Sequence, residues 1–145
     1  MRLFADSSAL VKIYLAGRDA EVAGRAVAGA RQVAASRIAQ TEVTGRLLRY
    51  DSAPEHLKRF SALWEEVEVV EVDEPLCLHA ARLTADRGLR TLDALHLASA
   101  LAVADEDLVL ATWDRRLWAA ARDEGLAVLP AERSEERRVG KECRL

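Results

Sequence analysis

The chain is poor in cysteine and in aromatic residues, and this scarcity excludes several classes of protein. Its 145 residues include two cysteines and 5% aromatic residues. The cysteines, at positions 77 and 143, give neither a disulfide framework nor the spacing of a zinc site. We expect Cys77, which lies in an apolar helical stretch, to be a small buried residue. The three tryptophans are too scattered to predict a platform on which nucleic-acid bases stack.

Long apolar runs and a strong excess of one charge are also missing. No run approaches the ~20 apolar residues that cross a bilayer, so we expect no membrane contact. Met1 and Arg2 lead straight into a strand-like segment, so we expect no signal peptide and a reducing, cytoplasmic location. The formal net charge of -3 argues against a nucleic-acid binder that is basic all over, although it allows a local basic rim.

The remaining composition is that of a globular protein, with 50% hydrophobic and 31% charged residues. Its length is enough for one domain with a core and too short for two. Strand-like segments alternate with helical ones along the chain, which predicts an α/β fold with a mainly parallel sheet covered by helices on both faces. The expected strands are 2–5, 32–35, 67–72, 107–111 and 127–129; the expected helices are 8–15, 20–30, 37–50, 54–66, 74–87, 91–104 and 114–124.

Two segments need separate comment. In the helix expected at 37–50, the side chains predicted to face the core are Ile38, Ala39, Val43, Leu47, Leu48 and Tyr50. The segment 134–145, SEERRVGKECRL, has no apolar periodicity. We interpret it as a non-native or disordered tail, such as a translated vector scar, and assign a single domain to residues 1–133.

Four acidic residues lie beside apolar segments. Asp6 ends the first strand, Asp114 closely follows the strand at 107–111, Asp93 opens a nearly all-apolar helix, and Glu42 lies within another helix. A carboxylate next to the core is costly unless a cation compensates it. Ligands of an open parallel sheet bind beyond the carboxyl ends of its strands. We therefore expect these acids to converge on one crevice that holds one or two Mg²⁺ or Mn²⁺ ions.

Each acid taken alone also has a structural explanation. Asp6 and Asp114 are placed to cap the helices that follow them. Asp93, in a first helical turn, complements the helix dipole. Glu42 is compatible with a solvated helix surface. The joint pattern favours a shared site over four separate explanations.

Hydroxyl, imidazole and basic side chains accompany the acids. Ser7 and Thr112 could orient the carboxylates or metal-bound waters, or simply serve the turns in which they lie. We interpret His96, one turn after Asp93, as a core histidine that hydrogen-bonds to backbone rather than as a catalytic residue. Basic side chains near the acid-bearing elements are candidates for phosphate contacts or ordinary surface charges; they are Lys12, Arg87, Arg90, Arg115 and Arg116.

Several segments together resemble one family. Segment 6–14, DSSALVKIY, resembles the opening of a PIN-domain protein of the VapC toxin type. Segment 92–100, LDALHLASA, resembles the central aspartate helix of that family, and segment 111–117, ATWDRRL, resembles its last acidic motif. Glu42 falls where the family has a helical glutamate, and segment 125–129 resembles its closing strand. The similarity extends in order from Met1 to about Leu129.

The resemblance implies a three-layer α/β/α sandwich with a mainly parallel sheet. It implies a Mg²⁺- or Mn²⁺-dependent endoribonuclease, the toxin of a type II toxin–antitoxin system, inhibited by a small cognate antitoxin. The implied catalytic and metal-binding residues are Asp6, Glu42, Asp93 and Asp114, with Ser7 and Thr112 in support. For such an enzyme the basic residues named above are candidate contacts for RNA phosphates, with surface charge as the alternative; they are Lys12, Arg87, Arg90, Arg115 and Arg116. The chain shows no Ser-His-Asp or Cys-His arrangement, which agrees with hydrolysis by a metal-activated water.

Other functions stay open at this point. A non-toxin PIN nuclease in RNA processing and a non-catalytic PIN module that only binds partners would share the same motifs. Receiver or haloacid-dehalogenase domains also place aspartates at strand ends, but they require adjacent acids or Asp-x-Asp where this chain has Asp6, Ser7 and Ser8.

The resemblance also implies a homodimer. We expect the helical segments 20–30 and 54–66 to supply an exposed apolar stripe for it, and core packing explains the same residues equally well. The stripe comprises Val22, Ala26, Leu57, Phe60 and Leu63.

Overall fold

Five strands form a single sheet at the centre of the molecule. The computed structural model describes residues 1–132. Within that range the strands are β1 (Arg2–Ala5), β2 (Gln32–Ser36), β3 (Glu68–Val70), β4 (Leu108–Ala111) and β5 (Ala127–Leu129). Their order across the sheet is β3-β2-β1-β4-β5, and every neighbouring pair is parallel. The parallel sheet expected from the sequence is confirmed.

Helices connect the strands, as the alternating sequence pattern predicts. In residues 1–132 they are α1 (Ser7–Lys12), α2 (Arg18–Gly29), α3 (Arg37–Leu47), α4 (Ala53–Trp64), α5 (Glu74–Arg87), α6 (Thr91–Ala102) and α7 (Arg115–Asp123). Each expected helix and strand is present, and the differences lie at the ends. Asp114, for example, precedes α7 as its N-cap instead of belonging to it.

The helices cover both faces of the sheet. Along β1, Leu3 and Ala5 pack into a core shared with α1, α2, α3 and α4, whereas Phe4 packs into a second core with α5, α6 and α7. This division follows from the alternation of side chains along a strand. The three-layer α/β/α architecture is therefore confirmed.

The strand order creates a crevice beside the central strand. The chain passes from β1 to β2 and β3 on one side, and then returns to β4 on the other side of β1. Ligand sites of open parallel sheets lie at such a reversal, beyond the carboxyl ends of the strands. Asp6 follows β1 at this edge, and its backbone N–H donates to the carbonyl of Ala111 at the end of β4 over 3.3 Å. The two strand ends that carry acidic residues are thus adjacent.

Two expectations about buried side chains are wrong. Helix α3 ends at Leu47, three residues earlier than expected, so Leu48 and Tyr50 lie beyond it with exposures of 60% and 39%. Cys77 is exposed and free, not buried. Helix α5 faces the core through Leu76 and the residues four and seven positions later. Cys77 is rotated about 100° from Leu76 around the helix axis, which turns it towards solvent.

The apolar stripe proposed for a dimer is partly used inside the protomer. Ala26 and Phe60 are buried with exposures of 9% and 3%, while Val22, Leu57 and Leu63 are half-buried.

The segment 134–145, interpreted above as a tail, lies outside the described residues, so the domain boundary at 133 stays a prediction. No helix among residues 1–132 combines the length and apolar character needed to cross a membrane.

Candidate active site

The four acidic residues line one pocket at the carboxyl edge of the sheet. The pocket has a volume of about 410 Å³. They reach it from four different places: the end of β1, helix α3, the first turn of α6 and the N-cap of α7. The residues that line it are Asp6, Ser7, Ser8, Thr41, Glu42, Gly45, Arg46, Arg49, Asp93 and Asp114. The tertiary structure thus brings together all four acids selected from the sequence.

Asp6 is the most deeply buried of the acids, with an exposure of 3%. Its Oδ1 caps α1 by accepting from the backbone N–H of Ala9 at 2.9 Å, and also accepts from the hydroxyl of Ser8 at 2.7 Å. Its Oδ2 accepts from the buried hydroxyl of Thr112 at 2.5 Å. Burial raises the pKa of Asp6, although these hydrogen bonds and the nearby His96 oppose the rise. The carboxylate is therefore held in one orientation at an electrostatic cost.

Asp114 caps helix α7 in the same way that Asp6 caps α1. Its Oδ1 accepts from the backbone N–H of Leu117 at 2.9 Å, and its own backbone N–H donates to Thr112 Oγ1 at 3.0 Å. Thr112 therefore connects the two strand-end acids, as the sequence suggested. The capping explanation and the pocket explanation both hold for Asp6 and Asp114, because one carboxylate oxygen can cap while the side chain still faces the pocket.

Asp93 lies in the first turn of α6 and is half-buried. Burial is the largest cause that raises its pKa, followed by repulsion from Asp114 and from Asp6. His96 and Arg90 oppose the rise. Since like charges raise a carboxyl pKa only when they are close, the three aspartates share one electrostatic site.

Glu42 behaves differently because it has partners. Its Oε1 accepts from the hydroxyl of Ser7 at 2.6 Å and lies 2.7 Å from Nε2 of His96. Burial raises its pKa, but the hydrogen bonds from His96 and Ser7 outweigh burial, and the net pKa is lowered. Glu42 is therefore a held carboxylate and not the freely solvated helix residue that the sequence alone allowed.

His96 corrects another expectation. It is buried, with an exposure of 3%, but its Nε2 binds Glu42 rather than a backbone group. Within residues 1–132 its Nδ1 has no hydrogen-bond partner. Nε2 is therefore the ring nitrogen whose N–H donates to the carboxylate of Glu42. The sequence signal was its position three residues after Asp93, which places both on one helix face.

The basic residues selected from the sequence lie outside this pocket. Lys12 approaches Asp19 at 3.8 Å, and Arg87 donates to Glu124 at 2.7 Å. None of the five lines the acidic pocket in the described part of the chain; they are Lys12, Arg87, Arg90, Arg115 and Arg116. Their proposed contacts with RNA phosphates remain a prediction.

The pocket instead contains two arginines that the sequence reasoning missed. Arg46 and Arg49 extend from α3 and the turn that follows it, four and seven positions after Glu42. In the helix expected at 37–50 this spacing would place all three on one face, and it was the available signal. Ser8 was missed as well, although its hydroxyl links Asp6 to the backbone N–H of Trp113 at 2.8 Å.

The donor set suits a hard divalent cation. Mg²⁺ and Mn²⁺ prefer carboxylate oxygens, and a cation would offset the uncompensated negative charge that contributes to the raised pKa of Asp93. Within residues 1–132, no group of three or more His, Cys, Asp or Glu side chains is placed to hold an ion directly. Mg²⁺ usually keeps several waters and takes one or two carboxylates. The carboxylates of the pocket are thus of the chemical type that would hold such an ion.

Comparisons with known proteins agree with this fold. The family model described as the PIN domain matches residues 3–123. Two curated proteins of Mycobacterium tuberculosis, Ribonuclease VapC45 and Ribonuclease VapC49, are each 35% identical to this chain over 138 residues. Each match covers 90% of this chain and 96% of the relative.

Solved structures share the architecture. A toxin-antitoxin complex from Klebsiella pneumoniae includes a chain with a TM-score of 0.68 and 22% identity, covering 91% of this chain and 98% of that one. A chain of VapBC-1 from nontypeable Haemophilus influenzae has a TM-score of 0.63 and 18% identity, with coverages of 88% and 96%. At these identities the structures show the fold alone. The family model and the 35% identical relatives go further: the chain belongs to the PIN domain family.

Proposed function

We propose that this chain is a metal-dependent endoribonuclease and the toxin of a toxin–antitoxin pair. The observation that carries the proposal is the convergence of four carboxylates, from four separate elements, on one pocket. The names of the 35% identical relatives, which are ribonucleases, support RNA as the substrate. The toxin–antitoxin complexes among the structures of similar fold support an antitoxin as the partner.

The pocket residues divide into held and free carboxylates. Thr112 and Ser8 fix Asp6, while His96 and Ser7 fix Glu42. The side-chain carboxylate of Asp93 accepts no hydrogen bond within residues 1–132, so its oxygens are available to water or to a cation. Preorganised carboxylates lower the cost of assembling a site around a charged substrate, because they do not reorganise during the reaction.

We assign the metal-binding role to Asp6, Glu42, Asp93 and Asp114, with Mg²⁺ as the cofactor and Mn²⁺ as a substitute. A bound cation of this kind supplies an activated water and offsets charge on the phosphate oxygens. The carboxylates orient that water by accepting its hydrogen bonds. Ser7 and Thr112 keep Glu42 and Asp6 pointed at the pocket.

The protein is also proposed to form a homodimer. Half-buried Val22 on α2 would contribute to the interface together with the outer parts of Leu57 and Leu63 on α4, which also pack against the core, whereas Ala26 and Phe60 are buried in it. Light scattering at tens of micromolar should give twice the chain mass. A monomer at that concentration would remove this part of the proposal.

The decisive experiment compares wild type with Asp93→Asn on total RNA, in Mg²⁺ and in EDTA. Wild type should cleave with Mg²⁺ or Mn²⁺ and lose cleavage in EDTA. Asp93→Asn keeps the size of the side chain, removes one charge from the pocket, and should lower cleavage by at least about a hundredfold, which is the scale of removing one strong electrostatic contact. Asp86→Asn is the matched control, because Asp86 is exposed and outside this pocket.

Cleavage that survives EDTA, or equal cleavage by wild type and Asp93→Asn, would contradict a metal nuclease. In that case a non-catalytic PIN module that binds partners would explain the chain better. Expression with and without a cognate antitoxin tests the toxin role separately, since growth arrest that no antitoxin relieves would favour a non-toxin nuclease of RNA processing.

A further inference from the structure

The acidic pocket has a basic side. Among its lining residues, Arg46 and Arg49 are the two with positive charge, and both are exposed. Three of the carboxylates approach from the end of β1, from α6 and from the N-cap of α7, whereas Arg46 follows Glu42 along α3 and Arg49 lies in the turn after it. The charge of the pocket is therefore distributed unevenly, with its positive part confined to the α3 side.

Both guanidinium groups are unpaired within residues 1–132. Arg46 stands four positions after Glu42, the spacing at which a glutamate and an arginine on one helix usually pair. Glu42 is instead turned towards His96 and Ser7. The other arginines and lysines selected from the sequence lie outside the pocket, and Arg87 is already bound to Glu124. Arg46 and Arg49 thus keep their full hydrogen-bonding capacity.

The geometry of the helix sets the reach of this basic side. Positions 42 and 46 fall on one face of α3, about 6 Å apart along its axis at 1.5 Å per residue. Arg49 lies in the turn after α3, where its backbone N–H donates to the carbonyl of Arg46 at 3.2 Å. Both arginines line the pocket beside the held carboxylate of Glu42. Arginine presents a planar fork that binds phosphate through two parallel hydrogen bonds.

We propose that Arg46 and Arg49 bind the phosphate backbone of the RNA on the α3 side of the pocket and so hold the strand beside the four carboxylates. The inference rests on the proposed ribonuclease function and names where its substrate enters. Two positive charges beside four negative ones reduce the repulsion that a polyanion meets at this site. The charged residues that line the pocket from β1, α6 and α7 are all carboxylates, so the α3 side is where a phosphate meets positive charge.

The test uses Arg46→Gln, Arg49→Gln and the double variant, with a labelled single-stranded RNA of random sequence as substrate. The double variant should raise KM roughly tenfold and change kcat by less than about twofold, because the lost contacts bind parts of the RNA strand that are distant from the reacting bond. The slope of log affinity against log salt should fall by about 1.4 units, since each single-strand phosphate contact contributes about 0.7. Lysine at both positions should restore most of the affinity.

Arg82→Gln is the matched control, because Arg82 is an exposed arginine on α5 outside the pocket. Its KM and salt slope should equal those of wild type. If wild type cleaves and the double variant keeps both the wild-type KM and the wild-type slope, the inference is wrong while the nuclease function stands. A fall in kcat at unchanged KM also overturns it. If wild type does not cleave the RNA with either metal, the proposed function fails first and this inference fails with it.

Discussion

The Nε2 atom of His96 lies 2.7 Å from Oε1 of Glu42, and this contact joins helices from opposite layers of the sandwich. Helix α6 packs against one face of the sheet and α3 against the other. The two meet only beyond the carboxyl ends of the strands, where no sheet separates them. The imidazole therefore fixes the carboxylate of α3 over a pocket whose other acids come from elsewhere in the fold.

Replacing His96 by leucine should disturb both stability and cleavage. The substitution removes the donor to a charged carboxylate, which costs about 1 to 3 kcal/mol of unfolding free energy. It also lets Glu42 turn, and loss of such a supporting contact commonly lowers activity ten- to a hundredfold. Urea unfolding and RNA cleavage measure the two effects.

His79→Leu is the control for the histidine substitution, since His79 is exposed on α5. His96→Gln keeps an N–H donor and should recover part of the lost activity. Wild-type cleavage by His96→Leu would show that Glu42 does not need this contact.

Asp93→Asn should stabilise the protein in a pH-dependent manner. The folded pKa of Asp93 is raised by burial, Asp114 and Asp6, so the folded state binds its proton more tightly than the unfolded state. Stability is then lost as pH rises from the ordinary aspartate value of about 3.9 through the raised folded pKa. At pH 7 the variant should gain about 0.5 to 2 kcal/mol, and below about pH 3 the gain should vanish. Thermal melts of both proteins across this pH range measure the difference in stability between Asp93→Asn and wild type. A difference that did not depend on pH would refute the prediction.

Two substitutions of Asp114 distinguish the effect of its charge from that of its role as a helix cap. Asparagine caps helices about as well as aspartate, so Asp114→Asn should keep the hydrogen bond from Leu117 and nearly the wild-type stability while losing most cleavage. Asp114→Ala should lose about 1 kcal/mol in addition. Comparing melting temperature and cleavage in both variants checks this. A fully active Asp114→Asn would assign the residue to capping alone.

Thr112→Val tests the support of Asp6. Thr112 is fully buried and donates to Asp6 Oδ2, and valine has nearly the same shape without the hydroxyl. Leaving the buried carboxylate short of one donor should cost about 1 to 3 kcal/mol at neutral pH and raise the pKa of Asp6 further. The cost should shrink in acid, because a protonated carboxyl needs this donor less. Denaturant unfolding at neutral and acidic pH measures the difference, and an equal cost at both would contradict the explanation.

Metal binding should be visible without any substrate. A cation that binds only the folded state at a hundred times its Kd adds about 2.7 kcal/mol of stability. Mg²⁺ should therefore raise the melting temperature of wild type, and EDTA should reverse the rise. The shift should be smaller in Asp93→Asn and unchanged in Asp86→Asn. No shift in wild type at millimolar Mg²⁺ would argue against a metal site in this pocket.

Much of the fold could be predicted from the sequence because the signals are local. The apolar runs before Asp6 and Asp114 mark strands, and an aspartate that ends a run also caps the next helix through an N–H three residues later. The sequence predicts the end of α3 three residues too late, because Leu48 and Tyr50 continue the apolar composition beyond Leu47, where the helix ends.

The sequence by itself therefore determined the order of the elements and the acids at the strand ends, because those properties depend on neighbours within a few positions, and the alternation of strands with helices predicted the parallel sheet. Only the tertiary structure decided which side chains meet. His96 and Glu42 are 54 positions apart, and no periodicity within either helix shows that they touch. The same holds for Arg46 and Arg49, whose place in the acidic pocket depends on how α3 packs across the sheet edge. Side-chain partners are chosen by packing in three dimensions, and local patterns carry no record of that choice.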